Sequence, residues 1–343
     1  MKYQLSINVG KSADKNSAST KAVKDCIQLF SSLGYKDYNF FYSESTNSSL
    51  RYFYMFTALL KLYLKLPKGA LVGVQYPMLN NVFKYFIKAA RQKEIRFFCV
   101  IHDIESLRLG GQDSELVKKE VANLNYYDCL IVHNSSMMAW LKEKGITKKM
   151  IPLGLFDYLT VNQVNNEPET SFSNSIVFAG NLAKSNFIYS LNRISSWNFK
   201  VYGPNYKKDS SSFNNVKWVG EFSPDEVVYK LGGNFGLIWD GNSIEKCDAI
   251  LGNYLKYNNP HKFSLYLAAG LPVIAPRDSA IGKMIVEQQL GFLVENLEEL
   301  NTVQLSSEQY DKFKQNCERV KKQITNGEYF LKAVEEAQQY LYS

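Results

Sequence analysis

Residues Tyr254–Pro276 read YLKYNNPHKFSLYLAAGLPVIAP and combine a polar loop, an apolar helix and a buried strand. The pattern predicts a helix that begins near His261–Lys262, stops at Gly270 and leads into a strand of almost wholly apolar residues. Strands of that kind are typical of parallel sheets that helices cover on both faces. The segment therefore predicts α/β construction.

Similar alternation of short apolar runs and helical patterns continues along all 343 residues, a length typical of two domains. We predict two Rossmann-like, doubly wound domains whose ligand-binding edges face a central cleft. The predicted boundaries are residues 1–156 for the first domain, 157–174 for a polar linker, 175–326 for the second domain, and 327–343 for a helix that packs back on the first.

Composition excludes most other classes of protein. With 45% hydrophobic and 14% aromatic residues, 20 glycines and 9 prolines, the chain is neither disordered nor collagen-like. No run of about 18 apolar residues predicts a membrane-spanning helix, and the first apolar run is too short for a signal peptide. Five scattered cysteines without a CxxC pair favour neither disulfides nor thiolate zinc. A reducing, cytoplasmic location is expected.

Charge is distributed unevenly along the chain, whose net charge is +7. Residues 1–155 hold 22 Lys and Arg against 12 Asp and Glu, whereas the remainder holds 18 against 21. The basic half suits an anionic acceptor or a membrane surface; nucleic acid is not expected, because no binding motif accompanies the charge. Residues Arg51–Lys68 fit an amphipathic helix on the sheet, and alternatively peripheral membrane contact or an oligomer interface.

Two of the three histidines, His102 and His133, follow predicted buried strands at their carboxyl ends. Asp103 comes directly after His102, so an imidazole and a carboxylate share one strand terminus. Such a pair can act as a general base. The alternative is that His102 only caps the strand, and His133 is the weaker candidate.

Three features in the second half favour anion binding. The strand IVFAGN ends at Gly180 and Asn181 with Lys184 nearby, and backbone amides at such a turn can approach a phosphate. Lys262 stands in the first turn of a helix, where a cation is unfavourable unless an anion also binds there. Residues 279–282, beginning with Ser279 and Ala280, form another small-residue turn after a buried strand.

Several motifs are absent from the sequence. It has no GxGxxG, GxxxxGK[ST], GxSxG, HExxH or DxD. These absences argue against a dinucleotide-binding site, a P-loop, a nucleophile elbow and a metal site of carboxylates. If a diphosphate binds, lysines and backbone amides must neutralise it, and we predict that neither a metal nor a cofactor is required.

The segments KFSLYLAAGLPVIAP and IGKMIVEQQLGFLV resemble the nucleotide-binding half of GT-B glycosyltransferases. The chain also resembles one bacterial group of these enzymes in four motifs: IHDIESLR, GLFDY, FAGN with Lys184, and YNNPHKFSLYLAAGLPVI. That group contains the glucosyltransferase 3 family, which extends GlcNAc on serine-rich adhesins, and proteins classed as β-1,6-galactofuranosyltransferases. The resemblance covers essentially the whole chain.

The resemblance implies a UDP-sugar donor in the second domain and an acceptor sugar in the first. Residues implied to meet the nucleotide are Asn181, Lys184 and Lys262, with Tyr254 and Asn259 lining the donor pocket. The loop Lys11–Ser19, including Ser17 and Ser19, would face the acceptor with Gln75, His102 and Asp103. Many GT-B enzymes carry a ribose-binding glutamate about where this chain has Gly282 and Lys283. Because Lys283 replaces that glutamate, no carboxylate–ribose contact is predicted here.

We therefore predict a metal-independent, inverting glycosyltransferase that moves a hexosyl group, with UDP-glucose as the first-choice donor, to a GlcNAc-type acceptor on a glycoprotein or surface glycan. The inverting stereochemistry and a homo-oligomeric state rest on the resemblance alone. The alternatives are a galactofuranosyltransferase of surface polysaccharide synthesis, a non-catalytic UDP-sugar-binding partner subunit, and a sugar-nucleotide epimerase on the same fold.

Overall fold

The computed structural model describes residues 1–9, 18–42, 48–77, 81–111, 113–161, 172–207 and 213–343. These residues form two compact units: unit 1 comprises Met1–Gly154 and Tyr329–Ser343, and unit 2 comprises Leu155–Glu328. In the described part of the chain, each unit contains one six-stranded sheet with helices, which confirms the prediction of two Rossmann-like domains. Among the helices described, none is both long and apolar enough to traverse a bilayer.

The sheet of unit 1 is parallel and has the order β2-β1-β3-β4-β5-β6. Its strands are β1 (Lys2–Val9), β2 (Lys36–Tyr42), β3 (Leu71–Tyr76), β4 (Arg96–Ile101), β5 (Cys129–Val132) and β6 (Lys149–Pro152). The strand order reverses at β1 and β3. In doubly wound sheets, ligands bind outside the carboxyl ends of the strands at such a point.

Helices connect these strands and cover the sheet. They are α1 (Ala18–Ser32), α2 (Ser48–Lys65), α3 (Asn81–Arg91), α4 (Glu105–Arg108), α5 (Ser114–Leu124) and α6 (Ser135–Glu143). The last helix of the chain is α12 (Glu328–Tyr342), and nearly all of it belongs to unit 1. It packs there through Phe330, whose ring lies edge-on to Phe30 of α1 with 4.9 Å between centroids.

Unit 2 has a parallel sheet of order β12-β11-β10-β7-β8-β9, which reverses at β7 and β10. Its strands are β7 (Ser175–Ala179), β8 (Asn198–Tyr202), β9 (Val216–Gly220), β10 (Phe235–Leu237), β11 (Val273–Pro276) and β12 (Gly291–Val294). Its helices are α7 (Pro224–Lys230), α8 (Ile250–Tyr254), α9 (His261–Ala268), α10 (Gly282–Glu287) and α11 (Ser307–Thr325). Three 3₁₀ segments span Leu182–Lys184, Asn186–Arg193 and Leu297–Asn301.

A buried tyrosine joins α9 to the two central strands of unit 2. The hydroxyl of Tyr266 accepts a hydrogen bond from the Ala179 amide at 2.9 Å and donates one to the Leu237 carbonyl at 3.1 Å. A Cβ on Gly236 would lie 2.2 Å from the Tyr266 ring, so only glycine leaves room for it. This contact fixes α9 against the carboxyl ends of β7 and β10.

The apolar runs of the sequence predict strands at residues 3–9, 71–75, 96–102, 129–133, 175–178, 199–202, 216–219, 236–239 and 272–275. This prediction omits β2, β6 and β12, and each of them lies at the edge of its sheet. Edge strands are covered less completely than central strands, so their sequences need not be continuously apolar. In β6, for example, Lys149 and Pro152 are exposed and only Ile151 is fully buried. The apolar runs identify every central strand and, among the edge strands, only β9.

Two residues assigned to the linker lie inside unit 2. Asp157 and Tyr158 are buried, and the Tyr158 amide donates to the Ile324 carbonyl of α11 at 3.0 Å. The rings of Phe156 and Tyr158 pack against His261 at the start of α9, at 5.5 and 5.8 Å. The GLFDY segment therefore helps to hold α9, and residues 162–171 of the proposed linker lie outside the described residues.

Candidate active site

The point of strand reversal in unit 2 brings Gly180 and Lys262 together. Gly180 follows β7, and a Cβ built on it would lie 3.6 Å from Cε of Lys262. The Lys262 ammonium lies 4.6 Å from the centre of the Phe178 ring and donates to the Trp239 carbonyl at 3.1 Å. The sequence predicted anion binding separately at the Gly180 turn and at Lys262 of α9, and the structure places the two in one cluster.

Asp240, which the sequence reasoning missed, completes this cluster. Its Oδ1 atom accepts a hydrogen bond from Lys262 Nζ at 2.8 Å, and both side chains are less than one-fifth exposed. The position of Lys262 in the first turn of α9 therefore does not by itself require a bound anion, contrary to the expectation from sequence, because the Asp240 carboxylate already supplies the negative charge. Asp240 follows the apolar run FGLIW, so the rule that identified His102 as a strand-end residue would also have found it.

A second glycine fits closely against the turn after β7. Gly203, at the end of β8, has φ +133°, and a Cβ there would lie 1.9 Å from the Gly180 carbonyl oxygen. Asn181 is exposed; its Oδ1 atom accepts from the Ala183 amide at 3.1 Å and from Asn205 Nδ2 at 3.2 Å. Lys184 is exposed at the end of the same 3₁₀ turn.

Four other residues predicted for the nucleotide lie around α8 and the turn after β11. Tyr254 and Asn259 are buried. The Ser279 hydroxyl donates to the Pro276 carbonyl at 2.7 Å, and the Ala280 amide donates to the Leu255 carbonyl at 2.8 Å. The Ser279 bond lies within the turn, and the Ala280 bond holds the turn against the end of α8. An approaching phosphate would have to compete with these internal bonds.

In unit 1, His102 and Gln75 meet at the carboxyl edge of the sheet. His102 Nε2 lies 2.7 Å from Oε1 of Gln75, on the neighbouring strand β3. An amide oxygen can only accept, so this contact corresponds to the neutral tautomer in which Nε2 carries the proton and Nδ1 holds the lone pair. Gln75 is 5% exposed, and its Nε2 atom has no hydrogen-bond partner among the described residues.

A buried glutamate holds the loop after His102 in place. Glu120 on α5 is 4% exposed and accepts from the Tyr76 hydroxyl at 2.9 Å. It also accepts from the amides of Glu105 and Ser106 at 2.9 and 2.8 Å, which begin α4. The sequence signal for this role is a charged residue on the apolar face of an amphipathic helix.

Asp103 begins the loop that Glu120 supports. Its Oδ2 atom lies 3.5 Å from Nη1 of Arg108, and both side chains are partly exposed. The carboxylate is therefore accessible to solvent next to the half-buried His102. Ser17 lies outside the described residues, and Ser19 is within α1.

His133 is 1% exposed and contacts the backbone of Ile101, the last residue of β4, and of His102. Its Nε2–H donates to the carbonyl oxygens of Ile101 and His102, both at 3.1 Å. These two bonds fix the backbone that carries His102, which is a structural role for the weaker of the two candidates.

These two histidines predict acid sensitivity of the fold. Burial lowers the pKa of His102 to about 4, and burial together with the His102 charge lowers the pKa of His133 to about 3, both from 6.5. As pH falls below 6.5, the unfolded chain binds protons that the native state does not, so the free energy of unfolding decreases. Above pH 6.5 this loss is absent.

We expect urea unfolding of His133→Asn, followed between pH 7.5 and pH 4.5, to depend less steeply on pH than unfolding of the wild type. The difference in slope should approach one proton, because the variant lacks one depressed histidine. Equal slopes in the two proteins would contradict this account, whatever the overall stability of the variant.

Comparisons with known proteins identify the family to which the chain belongs. The family model described as Glucosyltransferase 3-like, N-terminal domain, matches residues 2–155, and the corresponding C-terminal domain model matches residues 176–337. Beta-1,6-galactofuranosyltransferase WbbI of Escherichia coli (strain K12) is 33% identical over 268 residues, which cover 76% of this chain and 77% of that protein. Glucosyltransferase 3 of Streptococcus gordonii is 26% identical over 323 residues, 91% of each chain.

Solved structures confirm the GT-B fold. The lipopolysaccharide outer core galactosyltransferase WaaB in its apo form superposes with a TM-score of 0.60 at 14% identity, covering 98% of this chain and all of that one. Trehalose-6-phosphate synthase OtsA gives 0.58 at 9% identity, covering 98% and 99%. The two matched family domains, together with the relative at 33% identity, show that the chain belongs to the glucosyltransferase 3-like family of glycosyltransferases.

Proposed function

We propose that this glycosyltransferase moves a hexosyl group from a UDP-sugar to a GlcNAc-type acceptor on a glycoprotein or cell-surface glycan. The observation that carries the proposal is the Lys262 ammonium beside the Gly180 turn, at the strand reversal of unit 2. Doubly wound sheets bind nucleotides at that point. UDP-glucose is the first-choice donor, because one relative is named Glucosyltransferase 3.

In the proposed reaction, Lys262 exchanges Asp240 for the donor diphosphate, assisted by Lys184 and backbone amides near Gly180. His102 or Asp103 takes the proton of an acceptor hydroxyl as its oxygen attacks the anomeric carbon. The bond from this carbon to the UDP oxygen breaks, and UDP leaves with the electron pair. The ammonium groups stabilise the charge that develops on the leaving diphosphate, so no metal ion is invoked.

The 33% identity to a β-1,6-galactofuranosyltransferase favours a second candidate donor, UDP-galactofuranose. The sugars of the two donors differ in ring size and hydroxyl positions, whereas both donors carry the same diphosphate. The proposal for Lys262 is therefore common to both, and the choice between them depends on contacts with the sugar.

A donor screen tests the proposal directly. Purified protein with a GlcNAc acceptor is expected to release UDP from UDP-glucose or UDP-galactofuranose, at an equal rate with EDTA present, and mass spectrometry should show an acceptor heavier by one hexose. UDP-GlcNAc is the matched control donor. UDP binding without turnover of any donor would favour the non-catalytic subunit, and activity abolished by EDTA and restored by Mg²⁺ would contradict the metal-free mechanism.

A further inference from the structure

Helix α2 has two apolar faces, only one of which packs against unit 1. Leu59 and Leu62 are buried, as expected of a helix that covers a sheet. On the opposite side, four large apolar residues are exposed: Phe53 (60%), Phe56 (55%), Leu60 (48%) and Leu64 (71%). Their spacing of three or four residues aligns them in one row along the helix. We call this row the α2 stripe.

The α2 stripe was not anticipated by the simpler interpretation of Arg51–Lys68. An amphipathic helix on a sheet should expose mainly its lysines, whereas α2 exposes aromatic and aliphatic side chains over about three turns. Monomeric soluble proteins rarely expose contiguous apolar surface of this kind unless something binds it. The stripe therefore indicates an interaction surface.

The two helices at the α2 stripe carry only positive charge. Helix α2 contains three cationic residues and no Asp or Glu, and its neighbour α3 likewise has three cationic residues and no acidic one. Lys61 and Lys65 are exposed and follow Leu60 and Leu64 directly, about 100° around the helix axis from the stripe. Their long side chains can reach an anionic layer beside a buried apolar row.

This charge pattern distinguishes the occupants that could cover the stripe. A second copy docked through the same face would bring two groups of cationic residues together, and neither α2 nor α3 supplies a carboxylate to compensate them. An anionic lipid surface satisfies both features, because its acyl boundary accepts the apolar row and its headgroups attract the lysines. We infer that α2 lies in the surface of an anionic membrane and holds unit 1 there.

Vesicle sedimentation tests this inference independently of the donor chemistry. The full chain is expected to sediment with vesicles of about 30 mol% phosphatidylglycerol in phosphatidylcholine and to stay in solution with pure phosphatidylcholine. Phe53→Ser/Phe56→Ser/Leu60→Ser should lower the bound fraction about tenfold. Lys61→Glu/Lys65→Glu should also lower it and reduce its dependence on salt.

A control variant, Val286→Ser/Tyr342→Ser, removes two exposed apolar residues outside α2 and should bind vesicles like the wild type. Unchanged UDP binding and an unchanged circular dichroism spectrum would show that each variant folds. If the triple variant does not fold, the single variant Phe56→Ser replaces it in the assay. Equal binding to neutral vesicles, or no loss of binding in folded α2 variants, would overturn the inference. So would a fall in molecular mass by light scattering in those variants without lipid, which would identify a second copy as the occupant.

Discussion

Replacing His102 with alanine is expected to lower kcat by about 10²–10⁴-fold, the usual contribution of a general base. The affinity for UDP should not change, because the residues proposed to bind UDP lie in unit 2. In the tautomer whose Nε2–H donates to Gln75, Nδ1 is the basic atom of His102. The variant therefore removes one of the two candidate bases and leaves the donor site intact.

The pH dependence provides a second test of His102. Because burial lowers its pKa to about 4, the imidazole stays neutral through the physiological range. We expect kcat/KM of the wild type to remain level down to about pH 5, well below the fall near pH 6.5 that an ordinary histidine base would produce.

Asp103→Asn is the matched variant, since it keeps the size of the side chain next to His102 and removes its charge. If His102 is the base, Asp103→Asn should retain more activity than His102→Ala. The reverse order would assign the base to Asp103. Wild-type turnover in both variants would exclude this edge of unit 1 from the chemistry.

Replacing Lys262 with methionine should weaken UDP binding about 10–100-fold, because a hydrogen bond to a charged group is worth about 1.5–3 kcal/mol. Methionine retains an apolar side chain beside the Phe178 ring, so the packing of α9 should be largely preserved. Turnover should fall further than affinity, since negative charge grows on the diphosphate as the sugar departs. Calorimetry with UDP and steady-state kinetics measure the two effects separately.

Asp240 complicates the interpretation of that variant, because removing Lys262 leaves its carboxylate unpaired near the incoming diphosphate. Asp240→Asn alone should tighten UDP binding, since the lysine is released from its internal partner and a repulsive charge is lost. The double variant Lys262→Met/Asp240→Asn isolates the lysine–phosphate contribution. Lys184→Met, at an exposed cation of the same site, should weaken UDP binding less than Lys262→Met, because solvent screens the charge of an exposed lysine. Unchanged UDP affinity in both variants that lack Lys262 would remove Lys262 from the site.

Local patterns identified the candidate site residues at strand ends. His102 follows RFFCVI and Gly180 follows IVFA, and strands this apolar are buried on both sides, so their carboxyl ends are predictable ligand-binding edges. Long-range partners were not accessible in this way. Glu120 is separated from Ser106 by the end of α4, a loop and the first turns of α5, and nothing in either segment specifies that the two will meet.

The order of apolar runs and helix signals by itself determined that this chain forms two parallel α/β units, and where the central strands lie along the chain. Those features depend on local periodicity and on burial of single segments. Only the tertiary structure decided that Asp240 pairs with Lys262, that Tyr266 joins two strands beside Gly236, and that α2 exposes an apolar row. Each of these depends on which distant surfaces pack together. Packing fixes distances and exposure, which no single segment encodes.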